Sequence, residues 1–332
     1  MTPSALSPDP LCVDPMTWLD MRVLSKRREA DDIFSFVLAP VQEDDALAPY
    51  QAGAHVSVKA GAWVRQYSLC PGPEDGAALA IAVHRDSQGR GGSQFFCDSI
   101  DEGDVIAVSA PVNHFPLVQA EAPPILLAGG IGITPLLSMA YALTQAGRSF
   151  DLHYLGRRRS RMAFLDTLAT LCPHRTHVHI EDERDTPLEL ATLIGQPAQG
   201  RHLYVCGPPG MIDAVQECAL HLGWPPHHIH FERFSANAPA AAGDRAFEVV
   251  IASSGQCVNV PAGTSAAQAL KAAGVDIPVS CEQGLCGLCM TGLLQGRPDH
   301  RDAVLTPQEI AEGRLFLPCC SRALDARLVL DL

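Results

Sequence analysis

The 332-residue sequence predicts three domains: an antiparallel β-barrel, an α/β domain with a doubly wound parallel sheet, and a compact C-terminal unit around four cysteines. Three observations support this fold class. Short strand patterns fill the first third, strand and helix patterns alternate in the second, and an unusual cysteine spacing marks the last. We place the domains at 17–118, 119–234 and 245–332, with a flexible N-terminus at 1–16 and an interdomain linker at 235–244.

Composition excludes several classes of partner. The formal net charge of −13 argues against nucleic acid and against an anionic membrane surface. No apolar run approaches the ~18 residues of a membrane span, and the N-terminus lacks the basic start and apolar core of a signal peptide. Twelve cysteines are few for a disulfide scaffold of this length, so a cytoplasmic location is expected.

The barrel prediction comes from six short, β-rich runs between Trp18 and about Ser109, separated by Gly, Pro and Asp turns. The runs are WLDMRVLS, IFSFVLA, HVSVKA, RQYSLC, LAIAVHR and DVIAVSA. A further segment, GRGGS, precedes the predicted helix SQFFCDSI. Backbone N–H groups and a guanidinium could hold a phosphate there. Arginines in such segments can equally be solvated surface charges.

The α/β prediction begins at Pro124, where strands, glycine-rich turns and helices start to alternate. The turn from Gly129 to Thr134 follows a buried strand and precedes a helix, an arrangement that suits a pyrophosphate. Glycine also occurs in turns that bind nothing. A second turn, at Cys206 and Gly207, ends another strand at the same predicted edge of the sheet, although Cys206 taken alone could be a core thiol.

The cysteine spacing of the last domain is C-x4-C-x2-C with a fourth cysteine thirty residues later, which is the plant-type [2Fe–2S] pattern. Glycines inside the loop let the backbone curl around a cluster. Zinc or buried thiols are alternatives, but zinc usually takes paired short-spaced ligands and the second pair is missing. The predicted metal ligands are Cys281, Cys286, Cys289 and Cys319.

Six motifs occur in a fixed order along the chain: RxYS, GRGGS, GGIGITP, CGPPGM, FERF and CEQGLCGLC…PCCSR. Together they resemble the phthalate dioxygenase reductase and vanillate O-demethylase reductase family, the class IA oxygenase reductases. The resemblance extends from about Trp18 to the C-terminus. It implies a ferredoxin–NADP reductase-like FMN-binding barrel, an NAD-binding α/β domain and a β-grasp [2Fe–2S] ferredoxin domain.

The resemblance also implies roles for individual residues. Arg65 would bind the flavin phosphate, Tyr67 would lie against the isoalloxazine ring or ribityl chain, and Ser68 would reach the ring near N5. The other implied flavin and dinucleotide residues are Arg90, Gly91, Gly92, Ser93, Gly130, Gly132, Thr134, Cys206 and Gly207. Phe234 would cover the flavin, so the implied catalytic residues are Ser68, Cys206 and Phe234. Tyr67 and Phe234 could instead be ordinary core aromatics.

The implied function is the reductase component of an oxygenase system, passing electrons from NADH through FMN and a [2Fe–2S] cluster to a Rieske-type non-haem iron oxygenase of aromatic catabolism. A monomer is expected. FAD in place of FMN, a haem monooxygenase as acceptor, and an iron–sulfur redox sensor without turnover are the alternatives. NADPH also stays open, because the strand Phe150–Leu155 runs into Arg157–Arg159 and not into an acidic residue.

The choice of Cys319 over its neighbour Cys320 also depends on the resemblance. The family pattern ends in Cys-x-Ser-Arg, which puts Cys319 in the ligand position. Adjacent side chains on extended backbone point to opposite sides, so the two cysteines are not expected to bind one cluster equally well.

Overall fold

A computed structural model of the protein describes residues 18–332, apart from 43–46, 62, 74–76, 90, 235–243, 280, 281, 283, 285, 286 and 303. The chain forms two compact units, Met1–Leu188 with Ala198–Leu203 and Glu189–Pro197 with Tyr204–Leu332. The predicted flexible segment 1–16 and nearly all of the predicted linker lie outside the described residues. None of the helices in the described part of the chain has the length and apolar character that a membrane span requires.

The first unit opens with the predicted antiparallel barrel. Its six strands close in the order β1-β2-β5-β4-β3-β6, which confirms all six strand predictions. Its elements are β1 (Trp18–Ala30), β2 (Ile33–Pro40), β3 (His55–Ala60), β4 (Trp63–Cys70), β5 (Leu79–His84), α1 (Gly92–Ser99) and β6 (Val105–Ser109). Alternating apolar side chains such as Met21 and Val23 on β1 point into the barrel core, as the strand period requires.

The α/β region follows as alternating strands and helices. Its elements are β7 (Ile125–Gly129), α2 (Ile133–Gln145), β8 (Asp151–Gly156), α3 (Leu165–Leu171), β9 (Thr176–Ile180), α4 (Leu190–Ile194), β10 (Leu203–Cys206), α5 (Pro209–His221) and β11 (Ile229–Glu232). The sheet order is β11-β10-β7-β8-β9, and β7, β8 and β9 pair in parallel. All five residues of β7 are buried, as expected for a central strand of such a sheet. Helix α4 was missed because only five residues form it.

The last part of the second unit is a mixed sheet with two short helices, in agreement with the predicted β-grasp domain. Its elements are β12 (Phe247–Ile251), β13 (Cys257–Val260), α6 (Ala266–Ala272), β14 (Thr291–Gln295), β15 (Pro298–Asp299), α7 (Pro307–Glu312), β16 (Leu315–Phe316), β17 (Arg322–Ala323) and β18 (Arg327–Asp331). The main sheet has the order β13-β12-β18-β14-β16. Strands β12 and β18 pair in parallel, whereas β12–β13 and β14–β18 are antiparallel.

Asp244 is a buried, charged residue of this domain. Its side chain is only 4% exposed and lies 2.7 Å from Nη2 of Arg301 and 3.6 Å from Nε of Arg322. A buried carboxylate is stable only when it is paired in this way. Asp244, which the sequence interpretation assigned to the linker 235–244, is therefore packed into this domain, and the boundary itself stays a prediction.

A histidine cluster on β8 and β9 should make the stability of the first unit depend on pH. Burial, with smaller contributions from His177 and His179, lowers the pKa of His153 to about 4, against about 6.5 in an unfolded chain. The unfolded chain binds more protons between these values, so the free energy of unfolding should fall as pH drops from about 6.5 to about 4. Thermal unfolding at pH 7 and pH 5 should show a smaller difference in H153Q than in wild type. The exposed His174 provides the control variant H174Q, and an H153Q profile as steep as wild type would contradict the assignment.

Candidate functional site

The start of α1 forms an anion cradle together with β4. Gly91 precedes the helix at φ +90°, in the left-handed region that favours glycine. A Cβ atom on Gly92 would lie 2.7 Å from Nε and 2.8 Å from Cζ of Arg65, so a side chain there would have to displace this guanidinium. The Arg65 guanidinium also lies over the Trp63 ring, 4.9 Å from its centroid. A fixed guanidinium beside a helix N-terminus suits a phosphate.

Two polar side chains near this cradle, Arg85 and Ser93, already form hydrogen bonds within the protein. Arg85 forms a two-pronged ion pair with Asp98, with nitrogen–oxygen distances of 2.7 and 2.8 Å. Ser93 Oγ accepts a hydrogen bond from the backbone N–H of Asp86 at 3.1 Å, which leaves its hydroxyl proton for donation. Arg65 also donates from Nη1 to the Val64 carbonyl at 2.8 Å, and its place beside the N-terminus of α1 makes it the best described candidate for the phosphate. Arg90 lies outside the described residues, so its predicted role stays a prediction.

Tyr67 carries a buried hydroxyl that has no hydrogen-bond partner in the described part of the chain. Its ring packs against Phe96 at a centroid distance of 5.5 Å, and burial raises the pKa of Tyr67 well above its usual value. An unpaired buried hydroxyl is destabilising, so this position fits a bound polar group. Ser68, the next residue, is also buried. These residues fit the polar chain and phosphate of a flavin, and their assignment to one stays a prediction.

The glycine turn after β7 lies against the barrel. Ile131 packs on a small cluster that includes Cys70 of β4 and Ala82 of β5. Gly130 has φ +54°, and a Cβ there would meet nothing within 4 Å, so the backbone of the turn is open on that side. Thr134 is buried and donates from Oγ1 to the Ile131 carbonyl at 3.1 Å, which fixes the turn.

These contacts indicate the roles of the Cys70 thiol and of the glycine turn. Burial raises the pKa of Cys70 to about 12, so this thiol acts as a small apolar contact for the turn. Gly132 is buried, and the open backbone at Gly130 is where a pyrophosphate could approach. The predicted roles of Gly130, Gly132 and Thr134 in dinucleotide binding are compatible with this geometry and stay predictions.

Cys206, Gly207 and Phe234 belong to the second unit. Cys206 is completely buried at the end of β10, and burial raises the pKa of its thiol well above the usual value. The predicted place of Cys206 near nicotinamide stays a prediction. Phe234 is 38% exposed, so it is not a core aromatic and remains available to cover a ring. Gly207 is half-buried and follows β10 directly.

The predicted cluster ligands are only partly described. Cys289 and Cys319 are both buried in one hydrophobic core of the C-terminal domain, whereas Cys281 and Cys286 lie outside the described residues. Within the described residues, no group of three or more His, Cys, Asp or Glu side chains converges as a metal site. The tetrad therefore stays a prediction, with two of its members brought into the same core.

The backbone around Cys319 and Cys320 corrects one premise of the ligand choice. Residues 318–320 form a turn, closed by hydrogen bonds from the N–H groups of Cys320 and Ser321 to the Leu317 carbonyl at 3.3 and 3.0 Å. The extended-strand argument therefore does not apply. The two cysteines differ in burial instead, since Cys319 is buried and Cys320 only partly so.

Gly284 connects the cysteine loop to the segment that covers it. It has φ +68°, and a Cβ there would overlap Sγ of Cys320 and lie 2.9 Å from Cα of Asp302. Asp302 has a fully buried side chain. Its Oδ2 accepts from the N–H groups of Leu305 at 2.9 Å and Val304 at 3.3 Å. Asp302 is a supporting residue that the sequence interpretation missed, and only its place between the third and fourth cysteines hinted at it.

We expect Gly284→Ala to lower the iron content of the purified protein, because the added methyl group both strains the backbone and displaces the covering segment. Gly274→Ala is the matched control: Gly274 also has a positive φ, of +82°, but a Cβ there would meet nothing within 4 Å. Iron and sulfide analysis of both variants is the measurement. Equal iron content in the two variants would show that the contacts of Gly284 are unimportant for the cluster.

Two family models match separate parts of the chain. A 2Fe-2S iron-sulfur cluster binding domain matches residues 249–324, and an oxidoreductase NAD-binding domain matches residues 126–217. Vanillate O-demethylase oxidoreductase of Pseudomonas sp. strain HR199 is 42% identical over 320 residues, covering 95% of this chain and 100% of the relative. The chain belongs to the phthalate dioxygenase reductase and vanillate O-demethylase reductase family. It is an oxidoreductase with an NAD-binding and a [2Fe–2S] domain.

Solved structures agree with this family membership. Phthalate dioxygenase reductase, described as a modular structure for electron transfer from pyridine nucleotides to [2Fe–2S], has a TM-score of 0.73 and 39% identity, with 95% of this chain and 98% of that chain covered. An intact type IV self-sufficient cytochrome P450 monooxygenase has a TM-score of 0.83 and 38% identity. There 95% of this chain corresponds to only 41% of the other chain. The family fold therefore occurs both as a separate protein and within a larger one.

Proposed function

We propose that this protein is the reductase component of a multicomponent oxygenase. It takes electrons from NADH, uses FMN and a [2Fe–2S] cluster, and acts as a cytoplasmic monomer on a separate Rieske-type non-haem iron oxygenase. The observation that carries the proposal is the likeness along the whole chain to a vanillate O-demethylase oxidoreductase. The cradle at Arg65 and the cysteine spacing support it, because one chain would then carry both a phosphate site and a cluster site.

The chain's own residues would hold the cofactors in separate domains. A bound flavin would accept electrons in pairs from nicotinamide and release them singly, which suits a one-electron cluster. Arg65 and the amides at Gly92 would bind the flavin phosphate, and the buried hydroxyl of Tyr67 would gain its missing partner. FMN is proposed over FAD because the GRGGS loop resembles that of the FMN-using members.

Replacing Arg65 should therefore weaken FMN binding. A hydrogen-bonded charged group contributes about 1.5–3 kcal/mol, so Arg65→Gln should raise the Kd of FMN by about 10- to 100-fold. Arg22 is the control, since it also lies on a barrel strand but donates to the Gly103 carbonyl at 3.0 Å. Quenching of flavin fluorescence on titration of the flavin-free protein measures the Kd. Comparable affinities in R65Q, R22Q and wild type would argue against the proposed phosphate site.

The surface beside the cluster loop is the proposed contact for the oxygenase. Cys289 is buried, but the next residue, Met290, is 37% exposed. A Cβ on Gly287 would lie 3.8 Å from Cε of Met290, so Met290 covers a glycine of the loop without closing it off. One-electron transfer needs an acceptor close to the cluster, and an exposed methionine is a suitable adaptable contact for a protein surface.

The function is tested by measuring where electrons from NADH go. The protein loaded with flavin and iron should reduce cytochrome c with NADH and should reduce a purified Rieske-type oxygenase of the aromatic-acid class. The likeness to the self-sufficient cytochrome P450 supports a second candidate, in which a haem monooxygenase is the acceptor. Faster reduction of a haem monooxygenase than of the Rieske protein would favour that candidate. Absence of NADH oxidation with either acceptor, together with a stable cluster, would favour a redox sensor without turnover.

A further inference from the structure

Three arginines that follow β8 lie beside three acidic residues that follow β9. Strands β8 and β9 pair in parallel up to Gly156 and Ile180, and the backbone N–H of Asp182 donates to the Arg157 carbonyl at 3.1 Å. The two segments therefore continue side by side beyond the sheet. We call this arrangement the charge ladder. Its members are Arg157, Arg158 and Arg159 on one side and Glu181, Asp182 and Glu183 on the other.

The ladder pairs each arginine with one carboxylate. Arg159 makes the best pair, with Nε and Nη2 at 3.1 and 3.0 Å from the two oxygens of Glu183, and this hydrogen bonding lowers the pKa of Glu183. The second pair joins Nε of Arg158 to Oδ2 of Asp182 at 3.0 Å, and in the third the Arg157–Glu181 distance is 3.8 Å. The six formal charges therefore add to zero. All six side chains are exposed, so the ladder can meet a ligand.

The ladder occupies the place where a doubly wound sheet contacts the adenosine ribose. That contact comes from the end of the strand after the glycine turn and its helix, where an acidic residue binds the ribose hydroxyls or an arginine accepts a 2′-phosphate. Here the strand is β8, and Arg157 follows Gly132 by about 25 residues. The acidic residue that is missing after β8 is supplied by the segment after β9.

We propose that the charge ladder selects NADH over NADPH, because its three carboxylates neutralise the arginines that would otherwise bind a 2′-phosphate. The proposal rests on the proposed function, in which a reduced nicotinamide dinucleotide is the electron donor. A 2′-phosphate approaching the ladder meets no net positive charge, and the carboxylates repel it at short range. The same carboxylates can accept hydrogen bonds from the two ribose hydroxyls of NADH.

Removing the carboxylates should free the arginines. We expect the ratio of kcat/KM for NADPH to kcat/KM for NADH to rise at least about tenfold. The affinity for 2′,5′-ADP relative to that for 5′-AMP should rise by a similar factor, and this gain should be smaller at high salt. The control removes three exposed carboxylates elsewhere, so that the net charge changes equally. The acid-free variant is E181Q/D182N/E183Q, and its control is E121Q/E217Q/D276N. Adding R157Q/R158Q/R159Q to the acid-free variant should return both ratios toward the wild-type values.

The possible results distinguish a failure of the charge-ladder proposal from a failure of the proposed function. An unchanged 2′,5′-ADP preference in the acid-free variant, or an equal change in its control, would overturn the ladder proposal. If the wild-type protein oxidised neither dinucleotide, the proposed function would fail, while the ligand-binding comparison would still test the ladder. A wild-type protein that binds 2′,5′-ADP more tightly than 5′-AMP by more than about tenfold would contradict the ladder proposal directly.

Discussion

Replacing Cys319 by serine is expected to abolish the [2Fe–2S] cluster and with it the NADH-dependent reduction of cytochrome c. Cys319 is buried in the same core as Cys289, and it occupies the fourth position of the cysteine spacing. A serine hydroxyl is a far poorer iron ligand than a thiolate. Iron and sulfide content, the visible absorption of the cluster and the cytochrome c rate should therefore all fall together.

Cys320→Ser is the matched control for this prediction. Sγ of Cys320 makes only long contacts, 3.9 Å to the Leu317 carbonyl and 3.7 Å to the Ser321 hydroxyl, so a serine in its place loses little. This variant should retain its iron, although Cys320 also lies against Gly284 of the cysteine loop. A normal cluster in C319S, combined with loss of iron in C320S, would reverse the assignment.

Arg322→Met is expected to lower the free energy of unfolding of the C-terminal domain by about 3–5 kcal/mol, because it breaks a buried ionic network. The buried guanidinium donates to the carbonyl groups of Thr264 at 2.8 Å, Arg245 at 2.9 Å and Pro261 at 3.1 Å. It also lies 3.6 Å from Asp244. Methionine fills much of the volume but leaves three acceptors without this donor, so the carbonyl groups lose hydrogen bonds in a dry environment.

The neighbouring ion pair between Arg327 and Glu248 provides the control. Its nitrogen–oxygen distance is 2.6 Å, but the Arg327 side chain is 63% exposed. Exposed pairs contribute about 0–1 kcal/mol, so Arg327→Met should hardly change stability. Urea unfolding of the two variants, followed by the visible absorption of the cluster, separates the cases. Similar losses in both would mean that the Arg322 network contributes no more than a surface pair.

Local patterns were sufficient for much of the fold. The six barrel strands are short alternating or β-branched runs bounded by turn residues, and α6 begins at a capping box in which Ser265 and Gln268 bond each other's backbone. A similar capping box, Thr306 with Glu309, starts α7, yet that helix was not predicted because only six residues follow the signal. The cysteine spacing and the glycine turn were likewise readable, since each depends on residues close together in the chain.

Features that depend on distant residues could not be predicted. The charge ladder exists because β8 and β9 pair in one register, and sequence alone does not give that register. The burial of Asp244 depends on Arg301, a partner far along the chain. The burial of Asp302 depends on the fold of the residues around the cysteine motif. The fold also buries the thiol of Cys206, and the family motif alone did not show how deeply that side chain lies.

Electron paramagnetic resonance tests directly whether this chain passes electrons from NADH to its own [2Fe–2S] cluster. The flavin- and iron-loaded protein is mixed anaerobically with NADH and frozen. We expect loss of the oxidised flavin absorption and appearance of the spin signal of a reduced [2Fe–2S] cluster, which has one unpaired electron. Consumption of NADH without that signal, in protein whose iron and sulfide content is complete, would contradict this expectation.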